Sequence, residues 1–160
     1  MRILAIDTAL EACAAAVLDT ERGKVIARES KPMSRGHAEA LMPLIERVMG
    51  QAGGGYDALA RIAVTVGPGS FTGLRVGIAA ARGLALATGR PAVGITTLSA
   101  FAAPLIAADD TLPVVVVIDA RHEHVYLQVF GPGGRNVVPP RVAPLRDALR
   151  AATTSRGPRI

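Results

Sequence analysis

Residues 113–130 read PVVVVIDARHEHVYLQVF, and residues 2–19 read RILAIDTALEACAAAVLD. Setting Ile118-Asp119 over Ile6-Asp7, an offset of 112 residues, aligns an apolar run that ends on a carboxylate. It also aligns a short polar connection, with Glu11 over Glu123, and a second apolar run, Cys13–Leu18 over Val125–Phe130. A strand, an Asp and a returning strand, met twice in one chain, describe a duplicated lobe. The fold expected is α/β, with a first lobe over residues 1–108 and the start of a second, truncated lobe over 109–160.

The first lobe can be read outward from that opening. Arg2–Asp7, Ala12–Leu18 and Lys24–Ser30 have the short apolar or alternating runs of three strands in a meander. A helix follows from about His37 to Met49, with Leu41, Leu44, Ile45, Val48 and Met49 at three-to-four spacing. Pro43 inside it is expected to kink the helix or mark its effective start. Gly53-Gly54-Gly55 leads into a strand at Leu59–Val66, and Gly67-Pro68-Gly69-Ser70 turns into a helix from Thr72 to about Thr88. Ala92–Ile95 reads as a short strand and Leu98–Ala107 as a helix. After the restart at Pro113, Arg135–Val138 and a helix-like Pro144–Ala152 close the pattern.

Composition bounds the function. The chain has 160 residues, half of them apolar and 19% charged, so a packed core is expected. The net charge of +5 arises wholly after residue 130, where six Arg face Asp147 alone; residues 1–130 are balanced. That basic end is either an arm for RNA or the front of a segment whose acidic remainder is missing, and the second reading is preferred. Direct RNA binding is discounted because the body is neutral and only five aromatics are present. Cys13 alone makes no disulfide and no cysteine zinc site, which fits a reducing compartment. Asp7 and Glu11 interrupt what would otherwise resemble a signal peptide, and the uncharged run 91–108 contains two prolines. A cytoplasmic protein with no membrane partner is expected.

Two places can carry chemistry. Asp7-Thr8 ends the first strand, at the sheet edge where open α/β sheets bind ligands, and can hold a metal ion or water beside a phosphate or simply cap a loop. The turn Gly67-Pro68-Gly69-Ser70-Phe71-Thr72-Gly73 meets a helix N-terminus, so it reads as a phosphate cradle or as a structural capped turn. It lacks the Lys-Ser/Thr of a P-loop and the spacing of a dinucleotide fingerprint. Asp7, Thr8, Gly67 and Gly69 are the nucleotide-site candidates. Cys13 reads as a buried thiol, and His122 and His124 as the tip of a surface hairpin without further metal ligands.

The helix after the turn has a stripe of small residues, Gly73, Gly77, Ala81 and Ala85. Each interior Gly costs about 1 kcal/mol against Ala, which is tolerated where another backbone packs close. That backbone belongs either to the same domain or to another chain. In the second reading the stripe forms a docking surface with His37, Leu41, Leu44, Ile45 and Val48 of the preceding helix.

These residues resemble a known family. Ile6-Asp7-Thr8 with Glu11-Ala12-Cys13, His37-Ala38-Glu39 with Leu41-Met42-Pro43, and Gly94 with Thr97-Leu98 are similar to the TsaB (YeaZ) family. So are Gly67 through Gly77 (GPGSFTGLRVG) and Ile118-Asp119-Ala120-Arg121 with Val125-Tyr126. The resemblance spans residues 2 to about 130. It implies the actin/Hsp70/sugar-kinase (ASKHA) fold of two related lobes. It also implies a part in making threonylcarbamoyladenosine in tRNA, on the adenosine beside the anticodon. There the family acts with the transferase TsaD, the ATPase TsaE and TsaC, which makes the threonylcarbamoyl adenylate. The implied role is non-catalytic: binding and activating TsaD as a heterodimer, with a homodimer also allowed and tRNA met only through the complex. No resident cofactor is implied, beyond weak ATP, ADP or Mg at a shared interface, and peptidase labels in this group are misleading.

Departures from the related TsaD pattern point the same way. That pattern runs a strand into a helix with two metal-binding His four residues apart, where this chain has Thr97 and Phe101. Thr is a poor transition-metal ligand and Phe none. The loop after Asp7 has no Gly, and His124 stands where the family tends to carry Glu. Members also run to well over two hundred residues. The alternative from a different class is a free-standing ATPase or small-molecule kinase of the same superfamily, resting on Asp7 and the Gly67–Gly73 turn.

Overall fold

The computed structural model describes residues 1–154. The chain divides into two compact units, Met1–Ile95 and one that begins at Thr96. The sequence had placed the first boundary after residue 108. The third helix belongs with the second unit because its Leu98, Ala102 and Ile106 pack with Val114, Val116 and Phe130 of the strands that follow. Arg156 and Arg159 of the basic end lie outside the described residues.

The first unit contains β1 (Arg2–Asp7), β2 (Ala12–Asp19), β3 (Lys24–Pro32), α1 (His37–Ala52), β4 (Leu59–Thr65), α2 (Phe71–Thr88) and β5 (Ala92–Ile95). They form one sheet in the order β3-β2-β1-β4-β5. β1 runs antiparallel to β2 and parallel to β4, and β4 is parallel to β5. The strict alternation of burial along β2 puts Cys13, Ala15 and Val17 on the face that carries Leu4 and Ile6. Leu41, Leu44, Ile45 and Val48 of α1 close on that face, together with Ala81 and Leu84 of α2. Burying each such Leu or Ile is worth about 1.5–3 kcal/mol, so this face is the main source of the unit's stability.

Pro43 does not begin the helix. α1 runs unbroken from His37 to Ala52, with Pro43 on its exposed side. One lost backbone bond there is outweighed by the buried stripe on the opposite side. The carbonyls left over at the end of α1 are met by Arg2, whose Nη1 donates to Gly53 O at 2.6 Å and Ala52 O at 3.4 Å.

The second unit contains α3 (Thr97–Ala108), β6 (Val114–Arg121), β7 (His124–Phe130), β8 (Asn136–Pro144) and α4 (Leu145–Thr154). Its strands form an antiparallel meander in the order β6-β7-β8. α3 covers one face through Val116, Ile118, Tyr126 and Phe130, and α4 covers the other through Val125, Leu127, Val129 and Ala143. β8 is longer than Arg135–Val138, and its three prolines are accommodated because it lies at the sheet edge.

The internal repeat survives with one correction. Asp7 faces Ala14 across its hairpin, whereas Asp119 faces Val125. The offset is therefore 112 on the first strand and 111 on the second, because the later hairpin is one residue tighter. A one-residue difference exchanges the two faces of a strand. The tight hairpin has a cost: Arg121, His122 and Glu123 all have positive φ, of 67°, 51° and 60°.

Candidate functional site

Asp7 and Thr65 end neighbouring parallel strands at their carboxyl edge, as open-sheet ligand sites require. The Thr65 hydroxyl donates to Asp7 Oδ1 at 2.8 Å, and the backbone N–H of Ala9 donates to the same oxygen at 2.9 Å. Asp7 therefore holds the turn that begins the β1–β2 loop. The equivalent Asp119 does likewise, accepting from the backbone N–H of Arg121 at 2.8 Å.

The loop then crosses to the turn before α2. Ser70 N–H donates to the Ala9 carbonyl at 2.6 Å. The Thr8 hydroxyl, fully buried, donates to the Gly73 carbonyl at 2.7 Å. Ser70 is the N-cap of α2, its Oγ accepting from Gly73 N–H at 3.3 Å. Glycine is required here by contact. A Cβ at Gly69 would collide with the Ala9 carbonyl, one at Gly73 with the Thr8 carbonyl, and one at Gly77 with the Thr8 hydroxyl. Gly67 turns the chain at φ 107° with Leu74 beneath it.

The four nucleotide-site candidates are thus brought together, and the arrangement explains what they do. The positive end of α2 is where an anion would sit. Two carbonyl oxygens of the chain's own β1–β2 loop already lie against it. The Ala9 oxygen accepts the Ser70 N–H, and the Thr8 oxygen lies where a Cβ of residue 73 would stand. Asp7, Thr8 and Gly69 take part in contacts that clasp the β1–β2 loop to the head of α2, as a structural capped turn does, with Gly67 turning the chain before it.

The docking reading of the small-residue stripe is also corrected. Gly73, Gly77 and Ala81 face inward, and Ala85 is half-buried against the core. His37, Leu41, Leu44, Ile45 and Val48 are all buried as well. They pack on the chain's own sheet and present nothing to another chain. Sequence spacing could not separate the two sides of α2, because Ala79, Gly83 and Ala87 form a second small stripe at the same interval. That second stripe is exposed. Around it stand Phe71 and Leu86, 70% and 88% exposed, with the Arg75 guanidinium 4.2 Å above the Phe71 ring. Arg82 shares this side, and α2 has no acidic residue.

Cys13 is buried, and burial above all, opposed by Lys31 and reinforced by Glu29, pushes its thiol up and away from the reactive thiolate. At the hairpin tip His124 Nδ1 lies 2.7 Å from the His122 carbonyl. Among the described residues no three His, Cys, Asp or Glu side chains are grouped as a metal ion needs, and no helix is long and apolar enough to cross a membrane.

Comparison with known proteins places this geometry. The family model described as TsaD, tRNA N6-adenosine threonylcarbamoyltransferase, matches residues 26–153. The chain is 39% identical over 127 residues to the tRNA threonylcarbamoyladenosine biosynthesis protein TsaB of Escherichia coli (strain K12), covering 79% of this chain and 53% of that protein. It is 36% identical over 126 residues to the protein of the same name from Haemophilus influenzae, covering 79% and 52%. The solved structure of YeaZ from Pseudomonas aeruginosa superposes with a TM-score of 0.79 at 32% identity, over 89% of this chain and 67% of that one. The chain spans about half the length of the curated relatives it matches.

Proposed function

This chain belongs to the TsaB (YeaZ) family, with its actin/Hsp70-like fold, and from that premise we propose that it is a non-catalytic accessory protein of tRNA threonylcarbamoyladenosine biosynthesis. It acts in the cytoplasm by binding the TsaD transferase and raising its activity, with TsaE joining the assembly and tRNA met only there. The observation that carries the non-catalytic part is the clasp. The Ala9 carbonyl accepts the Ser70 N–H and the Thr8 carbonyl lies beside Gly73, so the chain's own loop occupies part of the space at the head of α2 where a phosphate would approach, which supports this reading.

The partner surface in this reading is the outward side of α2. Phe71, Arg75, Ala79, Arg82, Gly83 and Leu86 combine exposed apolar area, small residues that let a helix approach, and positive charge without a balancing acid. An acidic, apolar helix pair on the transferase would complement it.

Reconstitution tests the proposal. Threonylcarbamoyl transfer to tRNA is measured with TsaD, TsaE and threonylcarbamoyl adenylate, with and without this chain. The chain alone is expected to modify no tRNA and to hydrolyse ATP at background rate, and its addition to stimulate TsaD. Robust ATP turnover by the isolated chain, lost on Asp7→Ala, would instead establish the kinase-like alternative.

A further inference from the structure

α2 is gripped on one side and presents the other. Its inner side rests on the loop after β1: Ser70 N–H donates to the Ala9 carbonyl at 2.6 Å, and the Thr8 hydroxyl donates to the Gly73 carbonyl at 2.7 Å. The same hydroxyl lies where a Cβ on Gly77 would strike it, so it meets α2 at two successive turns. The outer side carries Phe71 and Arg75, with the guanidinium 4.2 Å over the ring. Arg75 stands two residues from Gly73 and two from Gly77. At about 100° per residue, that spacing puts it across the helix from both.

Stability alone does not call for a hydroxyl at residue 8. Thr8 is 1% exposed. A buried hydroxyl is costly to desolvate and its hydrogen bond returns little net stability, while a valine of the same shape fills the space as well. What valine lacks is direction. A hydrogen bond holds donor and acceptor to a narrow range of distance and angle, whereas apolar contact permits sliding and rotation.

The loop that carries Thr8 is itself fixed. Asp7 Oδ1 accepts from Ala9 N–H at 2.9 Å and from the Thr65 hydroxyl at 2.8 Å. At the far end of the loop, Met33 N–H donates to the Glu11 carbonyl at 3.1 Å. The Thr8 hydroxyl thereby ties the rotation of the first turn of α2 to the frame of β1 and β4. Gly73 and Gly77 have no side chains that could set it otherwise.

We propose that Thr8 is a positioning residue for the partner surface: its hydroxyl sets the rotation of the first turn of α2, and so the placement of Phe71 and Arg75 on the far side. A helix is a rigid element, so a rotation imposed on its inner side reappears on its outer side. The inference rests on the outward side of α2 being where the transferase docks, and adds that affinity there is governed from within.

Thr8→Val removes the hydroxyl and keeps the shape, and Thr8→Ser removes the methyl and keeps the hydroxyl. Both are compared with the unaltered chain by NMR, at a temperature where circular dichroism shows each one folded. In the isolated chain Thr8→Val should shift the Phe71 ring and Arg75 Nε–H signals, while those of Leu86, near the other end of the helix, stay in place. Association with TsaD, read by calorimetry, should weaken about tenfold with Val and recover to within about twofold with Ser. A lower melting temperature with signals and affinity unchanged would reduce Thr8 to a stabilising residue and overturn the proposal. Equal losses with Ser and Val would do the same, by assigning the effect to packing. If Thr8→Val does not fold, the unaltered chain decides. Thr8 is beyond a partner's reach, yet its methyl signal should shift when TsaD is added, because coupling is reciprocal. An unmoved methyl signal sinks the idea. The measurements on the isolated chain do not depend on the docking reading, which Leu86→Asp tests through association alone.

Discussion

The backbone N–H of Ser70 donates to the carbonyl of Ala9 at 2.6 Å, joining the loop after the first strand to the cap of the second helix. Sixty residues of chain lie between the two groups, so the bond closes a long-range contact and not a local turn. With the Thr8 hydroxyl on the Gly73 carbonyl, it makes the carboxyl edge of the sheet a self-contained joint.

The joint depends on bare backbone at Gly77. Gly77→Ala places a methyl against the Thr8 hydroxyl and Val64, and overpacking of this kind costs about 1–3 kcal/mol. Gly83 lies in the same helix with nothing within 4 Å of where its Cβ would stand. Gly83→Ala should therefore gain about 1 kcal/mol from helix propensity. Urea denaturation midpoints of the two variants should move in opposite directions.

At Asp7 the oxygen matters more than the charge. Asp7→Asn keeps an acceptor for Ala9 N–H and the Thr65 hydroxyl, while Asp7→Ala leaves both donors unmet at a cost of about 1–3 kcal/mol. Asp7→Asn should stimulate TsaD as well as the unaltered chain does. Loss of stimulation by the Asn variant with its melting temperature intact would show that the carboxylate is used chemically.

Leu86→Asp tests the outward side of α2. Leu86 is 88% exposed, so the isolated chain should keep its stability. Association with TsaD, read by analytical gel filtration or calorimetry, should weaken at least tenfold, equivalent to about 1.4 kcal/mol. Co-elution unchanged by this substitution would move the interface elsewhere.

Acid should weaken the first unit through two carboxylates. Asp19 is held below the usual carboxylate range chiefly by the backbone N–H of Arg22, against the opposing effect of burial, with Glu21 N–H, the chain's amino terminus and the Arg22 guanidinium adding to it. The hydrogen-bonded pairing with Arg47 holds Glu29 down in the same sense. A depressed folded-state value means that stability is fully present above the unfolded value, about 4, and is lost as pH falls through the folded one. Melting temperatures should be flat near neutrality and fall below about pH 4, and Asp19→Asn should make that fall shallower.

The β6–β7 tip invites stabilisation. His122 and Glu123 occupy a two-residue hairpin turn with positive φ, where Asn-Gly is the preferred pair. Replacing them by Asn and Gly should raise stability by about 1 kcal/mol or more, read as a higher melting temperature. An unchanged melting temperature would mean that the His and Glu side chains compensate for their backbone.

Much of this was legible in the sequence because the elements are separated by strong punctuation. β1 and β5 match their expected limits, and α1 begins at His37 as its periodicity indicates. What escaped was orientation. Two stripes of small residues run along α2, and only the contacts of Thr8 and Val64 decide which one is inside. The one-residue change of register in the second hairpin escaped as well, since β2 reads ACAAAVLD and its unbroken apolar run sets no alternation that would separate an offset of 111 from 112. Pro43 misled because its missing N–H counts locally, while the helix is held by its far side.

The clasp also changes what recovering a ligand would require. In a site that has merely lost a residue, restoring that residue restores the function. Here the chain's own carbonyls already lie close to the head of α2, and they fit only because Gly69 and Gly73 admit them. Installing a better phosphate ligand near Asp7 would add a group beside a loop already bonded to Ser70. The loop at 8–11 would first have to be rebuilt to withdraw, and the same withdrawal would uncover the head of α2 and loosen the sheet it braces.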